Sequence, residues 1–492
     1  MPFNSLKYFL FLPVVYLLFY FVCERARWCV LLAASLLFYA ALKVPYLLFV
    51  LPLVAITTYG FGIWLDHVES QKAKRTLLWS GIAANVLILI AMKYLPFLSE
   101  NMKLFSALFS LDVHIQPVKA FVAIGVSYYV FQAISYLLDI YLEIEKPERH
   151  FGYFALYMAF FPKLLQGPIE RVGDLMPQLK TPYEFNYDNM RFGMVLFTWG
   201  LFKKVVIADH LALLVDPIYS NVYGYKGLPL ILATYYYAIQ IYCDFSGYTD
   251  MALGSARIFN INLAQNFNNP YLATSIADFW RRWHISFSRW ILDYIFKPLQ
   301  MSWRNWRNCG TAMALVVTFL VSGIWHGASW SFIVWGLLHG IYLAFSVLYK
   351  PIQKRIYQKL GIEKSKITRF WQIIVTFNLV SFAWIFFRAN NFKDALYVCN
   401  NFYYGLFDLL LDLSIKNIFS GRYNLTRSLG PIDFVLLLAV ITLLLSIESK
   451  KDFISSISSK GKLGRWSVYL GLIFMIVFLG MFKGSQFIYF RF

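Results

Sequence analysis

Apolar runs long enough to cross a hydrocarbon core as helices, about 20 residues each, recur from one end of this 492-residue chain to the other. They read as helices at about 6–22, 28–42, 46–65, 77–95, 119–141, 192–208, 228–246, 311–324, 331–349, 371–388, 432–447 and 466–483, which gives about 11 to 13 spans. With 14% charged and 59% hydrophobic residues, against about 25% charged in a soluble domain, the chain has too little polar surface to cover a water-soluble globule. The membrane is its solvent, and the fold class is an all-α polytopic bundle. Two stretches break the pattern, 151–180 and 248–300, where aromatics mix with Pro, Gly, Asn, Arg and Asp. Polar, irregular backbone survives in a bilayer only when protein or water surrounds it, so both are expected to be re-entrant or to line a cavity.

The net charge of +19 sits in short clusters between apolar runs rather than along one soluble face. Anionic lipid headgroups and a phosphate-bearing substrate are therefore the expected partners, and nucleic acid is not. Arg25 and Arg27 follow the first span, and Lys72, Lys74 and Arg75 follow the third. Positive loops stay cytosolic, which places the N-terminus outside. The segments around Lys43 and around Asp112 and His114 then fall outside, and Lys146 to Arg149 fall inside. The first run lacks a preceding basic segment and a cleavage site, so it reads as a retained span. Residues 1–350 read as one membrane core and 351–492, opening on the basic stretch Lys350 to Lys366, as an extension of the same bundle. The five cysteines are scattered without a CxxC pair, so neither a disulfide framework nor a metal site is expected.

Of seven histidines, two stand in unusual company. His326 lies within Val321-Ser-Gly-Ile-Trp-His-Gly-Ala-Ser-Trp, between two apolar spans. An ionisable side chain at such depth is costly and marks a functional candidate. In its neutral form an imidazole accepts a proton from a hydroxyl as that hydroxyl attacks a thioester, although a core histidine bonded to a carbonyl fits the local letters too. Gly323 and Gly327 leave room for another backbone or a substrate. His284 lies in Asp278-Phe-Trp-Arg-Arg-Trp-His-Ile-Ser-Phe-Ser-Arg-Trp. Helical spacing puts Trp280, His284 and Ser288 on one face and lets Asp278 reach Arg281 or Arg282. This segment fits an interfacial helix with Trp and Arg at headgroup depth, and equally a wall whose arginines meet donor phosphates while His284 faces the reacting centre.

His339 follows His326 by thirteen residues, about 140° away on an unbroken helix, and is expected to stand apart. His67, His114, His150 and His210 read as solvated or capping residues. Asp244 and Asp250, six residues apart, are about 240° apart on a regular helix. They form no acid/base pair unless the helix breaks at Gly247, and a polar hinge or support for arginines is expected instead. Glu170 and Arg171 are expected to pair at the cytosolic face. GxSxG, Walker, HExxH and CxxC signatures are absent from the sequence, which removes the usual support for serine hydrolase, nucleotide hydrolase and zinc enzyme readings.

Five ordered motifs form a recognisable set: Phe161-Pro-Lys-Leu-Leu-Gln-Gly-Pro-Ile-Glu-Arg, Asp244-Phe-Ser-Gly-Tyr-Thr-Asp-Met-Ala, Asn266-Phe-Asn-Asn-Pro-Tyr, the Asp278 to Trp290 segment and Ser322-Gly-Ile-Trp-His-Gly. Together they resemble the bacterial branch of the membrane-bound O-acyltransferases, above all the members that O-acetylate alginate and peptidoglycan. The likeness runs from about residue 120 to 350 and continues through Phe382-Ala-Trp-Ile-Phe-Phe-Arg and Phe487-Ile-Tyr-Phe.

The resemblance implies a ring-like helical bundle whose tunnel joins a cytosolic donor pocket to an extracytoplasmic opening in a bacterial inner membrane. It implies His326 as catalytic base and His284 as the second site histidine. Trp325, Arg281, Arg282, Trp283, Asp244 and Asn268 are the expected substrate-binding residues, with no metal and no tightly bound cofactor. The implied donor is acetyl-coenzyme A or an acyl-carrier-protein thioester. The acceptor is a cell-surface polysaccharide, reached directly or through an extracytoplasmic SGNH-like transferase partner. A related branch loads D-alanine onto teichoic acid but has shorter chains. A transporter or a scaffold without covalent chemistry is the rival of another class.

Overall fold

The computed structural model describes residues 1–110, 116, 118, 121–181, 184–363, 365–411, 439, 441–442, 448, 456–457, 460–482 and 487–488. Most of the expected span at 432–447, together with Asp112, His114, Tyr489 and Phe490, lies outside these residues. Two compact units are present, one of residues 1–197 and 249–265, the other of 198–248 and 266–492. The change of composition near residue 350 is not a break in the chain, because one helix runs through it.

Unit 1 contains α1 (Leu6–Phe21), α2 (Arg27–Ala40), α3 (Leu47–His67), α4 (Gln71–Leu89), α5 (Leu95–Leu108), α6 (Val126–Tyr141), α7 (Phe151–Ala159), α8 (Phe161–Leu164), α9 (Val172–Lys180) and most of α10 (Tyr187–Phe202). A π-helical turn, Ile90–Tyr94, joins α4 to α5, so the span expected to end near residue 95 continues to Leu108. Helix α6 is buried on nearly every side, its polar residues Ser127, Gln132, Ser135 and Asp139 included. Gly62 of α3 and Gly81 of α4 admit it: a Cβ at Gly62 would meet the Tyr136 ring at 2.7 Å, and one at Gly81 would meet Leu137 at 2.9 Å. The polar residues of α6 are also used. Gln132 accepts from Lys163 of α8 at 2.8 Å, so the buried ammonium of the irregular stretch 151–180 has a hydrogen-bond partner on α6.

The loops read as sharing one compartment do gather at one end of this unit. Arg149 pairs with Asp66, Lys74 lies 3.3 Å from Glu143, and the Trp28 ring stands 5.2 Å from His150. His150 caps α7 by accepting from the Tyr153 amide at 3.3 Å, and His67 is exposed with a ring nitrogen 2.8 Å from the Ile63 carbonyl.

Unit 2 holds α11 (Asp209–Ser220), most of α12 (Leu228–Arg257), α13 (Ile276–Trp280), α14 (Ile285–Ile291), α15 (Lys297–Ser302), α16 (Arg307–His326), α17 (Trp330–Lys359), α18 (Lys366–Arg388), α19 (Phe392–Leu411) and α20 (Lys462–Leu479). Among the described residues, six helical segments are long and apolar enough to cross a membrane: 47–67, 71–108, 304–326, 330–359, 366–388 and 462–479. The expected spans at 28–42, 119–141, 192–208 and 228–246 form helices too, but these are shorter or carry more polar residues. Side chains such as Phe21 (90% exposed), Leu463 (87%) and Ile367 (80%) are bare because lipid, not water, faces them. The chain is therefore a multi-pass membrane protein.

Helices α16 and α17 form a tight antiparallel hairpin. A Cβ on Gly336 would lie 2.8 Å from the Gly323 Cα, and one on Gly340 would lie 2.9 Å from the Val316 Cα. Small residues let backbones approach in lipid, where no hydrophobic drive pushes helices together. Gly323 thus serves backbone approach rather than substrate approach. Replacing Gly336 by leucine should separate the hairpin and cost about 1–3 kcal/mol. Thermal unfolding in detergent should show a lowered midpoint, and an unchanged midpoint would refute this account of the packing.

Candidate active site

Helix α16 ends at His326 because the next residues cannot continue it. Gly327 is extended (φ −168°), and its neighbour Ser329 caps α17, accepting from the Ser331 amide at 3.3 Å. Glycine is needed at 327 for space, since a Cβ there would run into the Phe332 ring. The hairpin contact therefore fixes where the His326 imidazole stands. That ring is 5% exposed and sits among Trp325 (4.6 Å between centroids), Trp335 (4.7 Å), Phe387 (5.3 Å) and Phe287 (5.5 Å).

His284 is fixed differently. A continuous helix through 278–290 is not what forms: α13 stops after Trp280, and His284 takes a left-handed conformation (φ 44°, ψ 55°) just before α14. Trp280, His284 and Ser288 consequently do not share a helical face. A non-glycine residue in that region costs about 1–3 kcal/mol and persists only where its surroundings impose it. Asn266 imposes it here. The Asn266 Oδ1 accepts from the Ser286 hydroxyl (2.6 Å) and amide (3.1 Å), while its carbonyl accepts from the Ile285 amide (2.9 Å). A single antiparallel bridge joins Phe267 to Trp283, and the Asn268 amide donates to the Arg282 carbonyl at 2.9 Å. The Asn266 to Tyr271 motif is thus the brace that presents His284. With 0% exposure, His284 is no member of an interfacial helix face.

The two histidines meet through shared aromatic neighbours. Phe287 lies 5.1 Å from His284 and 5.5 Å from His326, and stacks on Trp325 at 4.3 Å. Trp325 is 6.3 Å from His284, and Phe245 of α12 closes the other side of that ring at 4.9 Å. One compact patch of unit 2 therefore joins His284, Phe287, Trp325 and His326. Water excluded by such rings leaves polar interactions strong, and an imidazole there can take up a proton at the reacting atom.

The other expected site residues separate into groups. Trp283 is buried in an adjoining aromatic layer, stacked on Phe279 at 5.5 Å and 5.1 Å from Trp384. Arg281 and Asn268 are exposed, and the Arg282 Nε donates to Asp278 at 2.9 Å. Among the described residues Asp244 pairs with a lysine rather than an arginine. Its Oδ1 lies 2.7 Å from the Lys204 ammonium, its Oδ2 accepts from the Ile488 amide at 2.8 Å, and Lys204 also meets Asp209 at 2.8 Å. Helix α12 passes Gly247 without a break, so the break that would have let Asp244 and Asp250 pair does not form. Glu170 is buried in unit 1, accepting from the Ala264 amide at 2.6 Å, rather than lying at a solvated face.

His339 is nearer than an unbroken helix allows, because the chain reverses at Gly327–Ser329. It accepts from the Trp280 indole at 3.2 Å and lies 5.0 Å from Trp335, the ring that also flanks His326. Phe245, Phe287, Trp335, Phe387 and Asn266 were not legible as neighbours. Asn266 stood in a quoted motif, but nothing in its spacing shows that it braces residues 285 and 286.

The sequence profile of the membrane-bound O-acyltransferase family (MBOAT) matches residues 142–387. The chain is 35% identical over 426 residues to the peptidoglycan O-acetyltransferase of Helicobacter pylori, covering 79% of this chain and 77% of that protein. Against the probable alginate O-acetylase of Azotobacter vinelandii it is 35% identical over 402 residues, covering 79% and 74%. Against the teichoic acid D-alanyltransferase of Bacillus subtilis it is 27% identical over 334 residues, covering 65% and 80%.

The role of Asp244 can be tested through its partner. Lys204→Met would leave two buried carboxylates without their cation, a loss of about 3–5 kcal/mol, and should collapse the yield of monodisperse protein. An Asp244→Asn protein that unfolds at the wild-type temperature yet loses substrate affinity would instead place Asp244 on the substrate.

Proposed function

This chain belongs to the membrane-bound O-acyltransferase family and is an acyltransferase, and we propose that it moves an acyl group, acetyl above all, from a cytosolic thioester to a hydroxyl of an extracytoplasmic polysaccharide. The observation that carries this reading is the placing of His326 and His284 around one pair of stacked rings, Phe287 and Trp325, by two unrelated pieces of backbone. In the proposed step, His326 takes the acceptor hydroxyl's proton while the oxygen attacks the thioester carbonyl. The C–S bond breaks, the thiolate leaves, and His326 returns the proton to sulfur. His284 orients the thioester or stabilises the developing oxyanion, and Trp325 shapes the passage between donor and acceptor.

The donor is acetyl-coenzyme A or an acyl-carrier-protein thioester, with the exposed Arg281 as a first contact for its phosphate. The acceptor is an alginate-like polysaccharide or another surface glycan, with an SGNH-like transferase as partner outside the membrane. The greater identity and coverage of the O-acetylating relatives favour acetyl over D-alanyl, and the match to a teichoic acid D-alanyltransferase makes D-alanyl transfer the second reading. The membrane is the bacterial cytoplasmic one with the N-terminus outside, a reading supported by the gathering of three basic loops at one end of unit 1.

Protein in liposomes, given radiolabelled acetyl-coenzyme A or acetyl carrier protein with an oligosaccharide acceptor, should consume thioester and label the acceptor. His326→Ala should lower the rate by about 10²–10⁴-fold, the usual contribution of a general base, with unchanged protein level and elution. His284→Ala should weaken transfer strongly while remaining folded. Near-wild-type turnover by His326→Ala removes the proposed base. Labelling from D-alanyl carrier protein alone selects the second reading.

A further inference from the structure

Two buried donors beside His326 take no part in the roles assigned so far. Trp335 and His339 stand one turn apart on one face of α17, and both are 0% exposed. Their ring centroids are 5.0 Å apart, and the Trp335 ring meets the His326 ring at 4.7 Å. His339 uses the Nδ1 lone pair to accept from the Trp280 indole at 3.2 Å. A ring nitrogen that accepts carries no hydrogen, so the proton of this neutral imidazole sits on Nε2. Neither that Nε2–H nor the Trp335 Nε1–H has a hydrogen-bond partner among the described residues.

The surroundings explain why. Phe319 lies 6.2 Å from His339 and Phe279 stacks on it at 6.3 Å, while Trp384 and Phe387 pack on Trp335 at 5.8 and 5.2 Å. Such rings offer no oxygen. A buried N–H without an acceptor is costly, and folds tolerate the cost chiefly where a function uses the group. Because both groups only donate, the atom that suits them is an acceptor. One oxygen takes two N–H bonds of about 3 Å each, a span that rings 5.0 Å apart admit.

We propose that Trp335 and His339 form the oxygen site of the transfer centre, holding the thioester's carbonyl oxygen while it bears negative charge. This role rests on the reading of His326 as the base. As the acceptor oxygen attacks, the carbonyl π pair moves onto the carbonyl oxygen, and the two N–H groups donate to it. The pair returns as the C–S bond breaks, neither donor gives up its proton, and sulfur receives the proton that His326 removed. A hydroxyl suits the pair less, since it brings a proton that needs an acceptor. His284 is then left to orient the thioester. The bond from Trp280 to His339 ties the Asp278 to Trp290 segment to the reacting carbonyl rather than to donor phosphate. A resident water offers the same acceptor chemistry and is the alternative source of the oxygen.

The test uses full-length protein in liposomes, with whichever thioester, acetyl-coenzyme A or acetyl carrier protein, supports wild-type turnover. Replacing Trp335 by benzothienylalanine puts sulfur where the indole N–H stands and keeps the ring's shape. It should lower kcat by about 10²–10³-fold, the effect of losing one oxyanion donor, with KM for the thioester unchanged. His339→Gln, which keeps a donor near Nε2, should stay within about tenfold of wild type, whereas His339→Asn, which keeps only a group near Nδ1, should fall as far as the Trp335 replacement. Full kcat in the benzothienylalanine protein overturns the site, and full kcat with a lowered unfolding temperature assigns the oxygen to a resident water. A raised KM with kcat kept overturns it as well, since the donors would then grip bound substrate rather than developing charge. Turnover that survives His326→Ala but falls with the Trp335 replacement removes the base and leaves the oxygen site standing.

Discussion

The contact of α16 with α17 at Gly323 and Gly336 is the constraint on which the reacting end of this molecule depends. In hydrocarbon no solvent force drives two apolar helices together, so close backbone packing has to supply the association. Here it also sets a position. Because the hairpin is tight up to Gly323, the chain must reverse within Gly327–Ser329, and the last helical side chain before the reversal is His326. Backbone rigidity, rather than a hydrogen-bonding partner named by the sequence, thus locates the imidazole.

Buried polarity is managed by the same logic elsewhere. Unit 2 surrounds Lys204 with Asp209 and Asp244 at 2.8 and 2.7 Å, and Lys203 meets Glu448 at 3.1 Å. Charges removed from water need such partners, and losing one partner is far costlier than losing an exposed pair. The amide of Ile488 completes the Asp244 environment, which ties a residue near the C-terminus to the start of a motif 244 positions earlier. Asp244, an expected substrate ligand when read in its motif, is ion-paired with Lys204 in the fold.

The candidate site combines two devices that differ in origin. His326 ends a long helix, whereas His284 sits at a left-handed residue imposed by Asn266. Phe287 and Trp325 then bring the two imidazoles into one aromatic patch. Such an arrangement suits acyl transfer, since the rings exclude water from the reacting atoms, and each histidine keeps its place through a separate piece of backbone.

Length and hydropathy alone settled that the chain spans a membrane as helices, because a lipid solvent allows almost no other solution to backbone hydrogen bonding. Five ordered motifs were enough to identify the family, and the two unusual histidines could be picked out by depth and company. What the letters did not contain was everything that depends on where a helix stops. The break at His284 undid the shared face with Trp280 and Ser288, the reversal after His326 brought His339 against Trp335, the ring that also flanks His326, and the unbroken α12 gave Asp244 to Lys204. Periodicity reports the direction of a side chain only while the helix continues. Tertiary packing decides where it ends, and with that decides which residues meet.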